Sequence, residues 1–412
     1  MNLLITNIGQ LITVASHGKR VKTGAEMHVI GILSDAAMLI ENGIIKAVGK
    51  ASDITAPSEY DVIDAEAKVV LPGFVDSHTH TVFAGSRENE FAMRAEGKSY
   101  QEIAEAGGGI LSTMNATREA SKKELYHLAE RRLNEMMKHG TTTVEIKSGY
   151  GLSPESESKI LEVISDLKRD HYATIVATFL GAHAFPPEYK ANKQGYVDRI
   201  CDYMLPYIAE KKLATFVDVF CEQGYFDLHF TEQIILEAKQ HGLIPKLHAD
   251  QLSAFGAAEL GAKHNAISVD HLEMLTDKGI EALKQSQTIA TVLPGASFFL
   301  NHPYAPARKI IDAGIPLALA TDFNPGTAMC YSMQMIMTLA CTQMSMTPEE
   351  AITAATLNGA AALGLSDETG SIETGKQADV VIYDVWDYRY IPYHYGVNHV
   401  WKVVKNGVLL DF

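Results

Sequence analysis

Residues 71–85 read LPGFVDSHTHTVFAG. An apolar run holding one acid, Asp76, ends in two histidines a single residue apart, His78 and His80. The run has the length and composition of a buried strand. Side chains two apart on a strand point the same way, so the two imidazoles can share one metal ion. The plain alternative is a histidine pair at a solvent-exposed strand end. It stands unless the rest of the chain supplies further ligands.

Seven more apolar runs follow: TTTVEI (141–146), ATIVATF (173–179), TFVDVF (215–220), IPKLH (244–248), AISVDH (266–271), TIATVL (288–293) and PLALATD (316–322). Helix-like segments separate most of them. Two, KKELYHLAERRLNEMMKHG (122–140) and TEQIILEAKQHG (231–242), end in His-Gly, where a C-terminal glycine stop is expected. Aliphatic strands alternating with helices predict a parallel sheet. Eight such units over about 250 residues predict a closed (β/α)₈ barrel, an α/β architecture. An open doubly wound sheet would more often carry a glycine-rich phosphate loop after its first strand, and HTHTVFAG is no such loop. AGGGILS (106–112) follows a helix-like segment and reads as a mobile loop near the active face.

The two ends of the chain look alike. AMLIENGIIKAVG (37–49) and HVWKVVKNGVLL (399–410) each place Asn-Gly between aliphatic runs, a strong hairpin signal. Residues 1–66 and 370–412 are therefore read as one small β-sandwich domain built from both ends, with the catalytic barrel, 67–369, inserted between them. The Met-rich stretch MCYSMQMIMTLACTQMSM (329–346) spaces its apolar residues like a buried helix face.

Composition narrows the function. The 412 residues are 47% hydrophobic and 21% charged, the balance of a globular protein. A net charge of −15 argues against nucleic acid as a partner. No apolar run approaches the ~20 residues of a membrane helix, and the N-terminus, MNLLITNIGQ, lacks a basic region before its apolar residues. The four cysteines, Cys201, Cys221, Cys330 and Cys341, form no C-x-x-C pair. A cytoplasmic location is expected.

In such a barrel, chemistry sits at the C-terminal ends of the strands. There the sequence places His78 and His80 (strand 1), Lys147 and Tyr150 (strand 2), His183 (strand 3), Cys221 and Glu222 (strand 4), His248 (strand 5), Asp270 and His271 (strand 6) and Asp322 (strand 8). Imidazoles with one carboxylate suit a single borderline metal, zinc or iron. His78, His80, His248 and Asp322 are the expected ligands. His271 is either a fifth ligand or a nearby proton carrier. An open coordination position lowers the pKa of a bound water to ~7, so the expected chemistry is hydrolysis by a metal-bound hydroxide. Asp322 is expected to move the proton from that water to the leaving nitrogen.

These residues resemble the amidohydrolase superfamily. PGFVDSHTH (72–80) opens the barrel and GSIETGKQADVVIYD (370–384) returns to the sandwich. Within the superfamily the chain resembles the imidazolonepropionase family. The stretches that carry this are DSHTHTVFAGSRENEFAMR (76–94), EIKSGYGL (145–152), FLGAHAFPPEY (179–189), KLHADQL (246–252) and ALATDFNPGT (318–327). The resemblance implies ring opening of 4-imidazolone-5-propanoate to N-formimidoyl-L-glutamate, a step of histidine degradation. It implies the same four metal ligands and one metal per chain, with a homodimer as the assembly expected by analogy. It also implies substrate contacts at Arg87, Tyr100, Tyr150, His183, Gln251, Asn324, Gly326 and Thr327. Arg87 suits the substrate's propionate, because a guanidinium binds a carboxylate through a bidentate fork.

Two alternatives are weighed. An aminohydrolase acting on a heterocycle would be expected to carry Glu as a proton shuttle where this chain has Gln251, and a glutamine cannot carry a proton in that way. An inactive scaffold is disfavoured by retention of all four ligands. Lys147 raises the question of a carbamylated lysine bridging two metals, but the following SGYG matches the mononuclear family. Glu145, Glu222 and Asp270 are read as supporting residues.

Overall fold

The computed structural model describes residues 2–98, 102 and 108–411; Tyr100 lies outside the described residues. The N-terminal segment supplies β1 (Asn2–Ile12), β2 (Ile32–Glu41), β3 (Ile44–Lys50), β4 (Asp61–Asp64) and β5 (Val69–Pro72). The middle supplies β6 (Phe74–Asp76), β7 (Thr141–Lys147), β8 (Thr174–Ala182), β9 (Phe216–Cys221), β10 (Ile244–Ala249), β11 (Ser268–His271), β12 (Ile289–Val292) and β13 (Leu317–Leu319). The C-terminal segment supplies β14 (Val380–Tyr383), β15 (Val400–Lys405) and β16 (Val408–Leu410).

Strands β6 to β13 pair in sequence order and in parallel, each overlapping one of the eight apolar runs. The seam between first and last strand is closed just beyond them. Thr79 bridges Phe323, the Asp322 N–H donates to the His78 carbonyl at 3.0 Å, and the His80 N–H donates to the Phe323 carbonyl at 2.9 Å. Asp76 tightens the seam by accepting from the Thr321 N–H at 3.0 Å and from its hydroxyl at 2.6 Å.

Side-chain alternation decides what fills the barrel. Val144 and Ile146 on β7, and Val217 and Val219 on β9, pack into an aliphatic core under the outer helices. The alternate residues, Glu145, Lys147 and Asp218, point the other way and are fully buried. Lys246 and Asp270 join them. Lys147 lies 3.0 Å from Glu145, 2.7 Å from Asp218 and 3.4 Å from Asp270, and Lys246 lies 2.8 Å from Glu145. The barrel is plugged by an ion cluster rather than by branched aliphatic layers. Lys147 is the last residue of β7 rather than part of the loop that carries Tyr150, and it lies buried beneath the open face.

The end strands form one continuous eight-stranded mixed sheet, ordered β16-β15-β14-β5-β1-β2-β3, with β4 also on β1. A register shift in β1 between Ile5 and Ile8 lets its first half pair β4 and its second half pair β5. One core cluster draws Ile5, Met38, Ile45, Ile63, Val70, Val380 and Val404 from seven of the strands, so the bent sheet closes over a core of its own. Alternate residues Val69, Leu71, Val381 and Tyr383 pack with the barrel instead. β5 lies beyond residue 66, so the N-terminal limb of this sheet runs to Pro72. Both Asn-Gly pairs are hairpin turns with positive φ at each residue (Asn42 50°, Gly43 82°; Asn406 49°, Gly407 72°), the geometry of type I′.

The helices with His-Gly stops run Lys122–Lys138 and Leu228–Gln240. The Met-rich stretch forms the helix Met333–Gln343, with Met333, Ile336, Met337 and Ala340 buried. AGGGILS is not wholly a loop: a helix, Ile110–Glu119, begins inside it, with Gly109 at φ 85° before its first turn. Only a residue without Cβ takes that conformation readily. Among the described residues no helix is long and apolar enough to cross a membrane.

Candidate active site

A cavity of about 580 Å³ opens at the C-terminal ends of the barrel strands. His80, Tyr150, His183, His248, Gln251, His271 and Asp322 all line it. Closure of the seam places the ligand candidates. Asp322, on the last strand's exit, lies with its Oδ1 3.4 Å from His78 Nε2 and 3.6 Å from His80 Nε2. Donor atoms of His78, His80 and Asp322 fall within 4.8 Å of one another, and so do those of His78, His248 and His271. His78 belongs to both sets. His271 thus stands close enough to be a ligand as well as an acid.

Two of the three candidate ligand imidazoles are oriented from behind. His78 Nδ1 lies 2.7 Å from Asp270 and His248 Nδ1 lies 3.0 Å from Asp218. A carboxylate on Nδ1 fixes the tautomer with Nε2 free to ligate. Among the described residues the buried His78 Nε2 has no hydrogen-bond partner, a state that costs free energy unless something fills it. Burial, followed by the charge of Lys147, holds His78 well below its ordinary pKa, and burial does the same for His80. Neutral imidazoles are the ligating form. This donor set of nitrogens and one carboxylate fits a single borderline metal. Lys147 is an ammonium held among carboxylates: burial would lower its pKa, but Asp218, Glu145 and Asp270 outweigh burial and raise it.

His271 ends β11 with φ 85°, and Leu272 follows at 71°. Two left-handed residues in succession are a strained arrangement. They turn the chain so that Glu273 comes back within 3.4 Å of His271 Nδ1. Burial would lower the pKa of His271, but the Glu273 carboxylate outweighs it and raises it. His183 Nδ1 lies 3.1 Å from the Gly149 carbonyl, so that nitrogen carries the proton and Nε2 is left as an acceptor. Burial lowers its pKa to about 3. Tyr150 is held by the turn that carries it: Glu157 accepts from the N–H groups of Gly149, Gly151 and Leu152 at 2.9, 2.7 and 2.8 Å. Glu222 does the same for the loop that presents Gln251, accepting from the Leu252 N–H at 2.8 Å.

Three expected contacts differ in detail. Asn324 spends its side chain on its own turn, accepting from the Gly326 and Thr327 N–H groups at 2.8 Å each and donating to the Asp322 carbonyl at 2.6 Å. Thr327 donates to Asp322 Oδ2 at 3.3 Å. Arg87 does not present its whole fork: Nε and Nη2 are bound to Glu90 at 2.9 and 2.7 Å. Gly326 lies beneath that guanidinium, and a Cβ there would meet Nη1 at 2.1 Å. Sequence reading did not single out Glu90, Arg94, Glu157 or Glu273. Glu90 and Arg94 sit three and seven residues after Arg87 on the helix Glu88–Ala95, a helical spacing that was available as a signal.

Residues 88–410 match the amidohydrolase family. The chain is 47% identical to an imidazolonepropionase of Bacillus cytotoxicus over 410 residues, covering 99% of this chain and 96% of that one. It is 46% identical to one of Christiangramia forsetii, covering both chains fully. In structure it resembles a triazine hydrolase variant, with TM-score 0.77 and 19% identity over 99% of this chain and 94% of that one. It also resembles the guanine deaminase of E. coli, with TM-score 0.75 and 15% identity over 100% and 99%. At these identities the two structural likenesses concern the fold.

Proposed function

The chain belongs to the imidazolonepropionase family of amidohydrolases and is a cyclic-amide hydrolase, and we propose that it works with one metal ion held by His78, His80, His248 and Asp322. It opens the lactam of 4-imidazolone-5-propanoate with water, giving N-formimidoyl-L-glutamate. The observation that carries the ligand set is the buried, unpartnered Nε2 of His78, converging with its neighbours' donor atoms. Zinc and iron both suit these donors. When bound, the ion supplies Lewis acidity toward water and the ring carbonyl.

The chain's own residues do the rest. Arg87 binds the propionate. Tyr150, kept a phenol by burial, donates to an acceptor of the substrate. His183 accepts a ring N–H through Nε2. Gln251 hydrogen-bonds the ring amide. His271, anchored at Nδ1 by Glu273, offers Nε2 to the carbonyl oxygen as negative charge develops there. Asp322 takes the proton of the attacking water and returns it to the ring nitrogen as the C–N bond breaks. The four unpaired cysteines support a reducing, cytoplasmic location.

The second reading, deamination, is disfavoured by Gln251. Turnover in ¹⁸O-labelled water separates the two. The label is expected in the new carboxylate, with both nitrogens retained in the product. Stoichiometric ammonia released during the enzymatic phase overturns the ring-opening assignment.

A further inference from the structure

Arg87 is placed by a neighbour that has no role in the chemistry above. Glu90 is buried on the first turn of the helix Glu88–Ala95. Its Oε1 accepts from Arg87 Nε at 2.9 Å and its Oε2 accepts from Arg87 Nη2 at 2.7 Å. Oε1 also accepts from the Gly109 N–H at 2.9 Å, at the start of the helix that puts Ile110 on the cavity wall. Arg94 Nη2 lies 3.8 Å from the same carboxylate, and Arg94 donates to the Gly326 carbonyl at 3.3 Å.

A guanidinium has two edges that match a carboxylate: one made by Nε and Nη2, the other by Nη1 and Nη2. Glu90 takes the first. Among the described residues nothing else bonds the second, which rests on Gly326 where no Cβ fits. Arg87 can therefore hold two carboxylates at once, one from the protein and one from the substrate.

We propose that Glu90 is the positioning residue for carboxylate recognition, clamping the Nε edge of Arg87 so that its Nη1 edge meets the substrate's propionate. This rests on the reading that Arg87 binds that propionate. A flexible arginine would lose side-chain freedom on binding, whereas a clamped one has lost it already.

The test compares Glu90→Ala, Glu90→Gln, Arg87→Met and the Arg87→Met/Glu90→Ala double variant, all as metal-loaded full-length protein. Removing one partner of a charged pair at a binding site weakens binding on the order of 10- to 100-fold or more. Glu90→Ala is expected to raise KM by about 10- to 100-fold, with less effect on kcat, and with unchanged metal content and melting temperature. Glu90→Gln, which keeps one acceptor oxygen, should fall between Glu90→Ala and the parent. It serves alone if the alanine variant fails to fold. The double variant should bind no worse than Arg87→Met. For the amide analogue of the substrate, with no carboxylate, Glu90→Ala should leave KM unchanged. A Glu90→Ala KM within twofold of the parent, or effects that multiply in the double variant, overturns the proposal. An unaltered kcat/KM in Arg87→Met instead removes its premise.

Discussion

At the scale of single residues, the site is built from pairs in which a functional group is held by a carboxylate behind it: Asp270 holds His78, Asp218 holds His248, Glu273 holds His271 and Glu90 holds Arg87. Each pair turns a mobile side chain into a fixed one. His248→Ala is expected to reduce metal content from one ion per chain to a small fraction, with the far-ultraviolet circular dichroism unchanged, because the barrel has an extensive core apart from the ligands. Elemental analysis reads this directly, and two ions per parent chain would count against the mononuclear site. His271→Ala should slow ring opening by ~10²–10⁴-fold, the usual effect of losing a positioned acid–base group, while metal stays bound. Single-turnover kinetics measures it. Parent-like rates would remove His271 from the mechanism and leave proton transfer to Asp322.

At the scale of elements, the hairpins were legible because a type I′ turn needs positive φ at two residues and Asn-Gly supplies it. What the pattern did not reveal is that the two turns meet. A Cβ on Gly407 would lie 3.0 Å from the Gly43 Cα and 3.0 Å from Ile40 Cγ2, and the Gly43 carbonyl accepts from the Ala378 N–H at 2.8 Å. Gly407→Val combines a disfavoured φ with this close approach. It should destabilise the protein by about 1–3 kcal/mol, read as a lower urea midpoint. A midpoint equal to the parent's would show that the turns give way freely. The barrel strands were legible through their aliphatic runs, but Glu145, Asp218, Lys246 and Asp270 within those runs, and Lys147 just after one, gave no sign of pairing with one another.

At the scale of the whole molecule, the two ends of the chain are tied together by Glu373. It accepts from the Ser16 N–H at 2.9 Å, the Ser16 hydroxyl at 3.0 Å and the His17 N–H at 3.1 Å, and stands 3.3 Å from Lys376. Burial alone would raise its pKa, but the hydrogen bonds from Ser16 and Ser371, with Lys376, outweigh it and lower it from 4.5 to about 2. A depressed carboxyl contributes stability that is fully present above its unfolded value and lost as pH falls through its folded value. The contribution is therefore complete above pH 4.5 and disappears toward pH 2. Glu373→Gln should melt lower than the parent at pH 7, and the gap should close between those limits. A gap that stays constant with pH would mean that hydrogen bonding, not charge, carries the tie.

The sequence by itself determined the barrel's strand count, the two hairpins, the helix stops and the histidines at the strand ends. Those features follow from local backbone sterics and from hydrophobic period, which act over a few residues. Only the tertiary structure decided that Asp322 meets His78, because that contact exists once the seam between β6 and β13 closes. It also decided which edge of Arg87 Glu90 holds, which nitrogen of His183 meets the Gly149 carbonyl, and that Lys147 stays an ammonium. In each case a charged or polar group is satisfied by a partner whose distance along the chain is unrelated to its distance in space. Lys147 and Asp218, 71 residues apart in sequence and 2.7 Å apart in the barrel, are the plainest example.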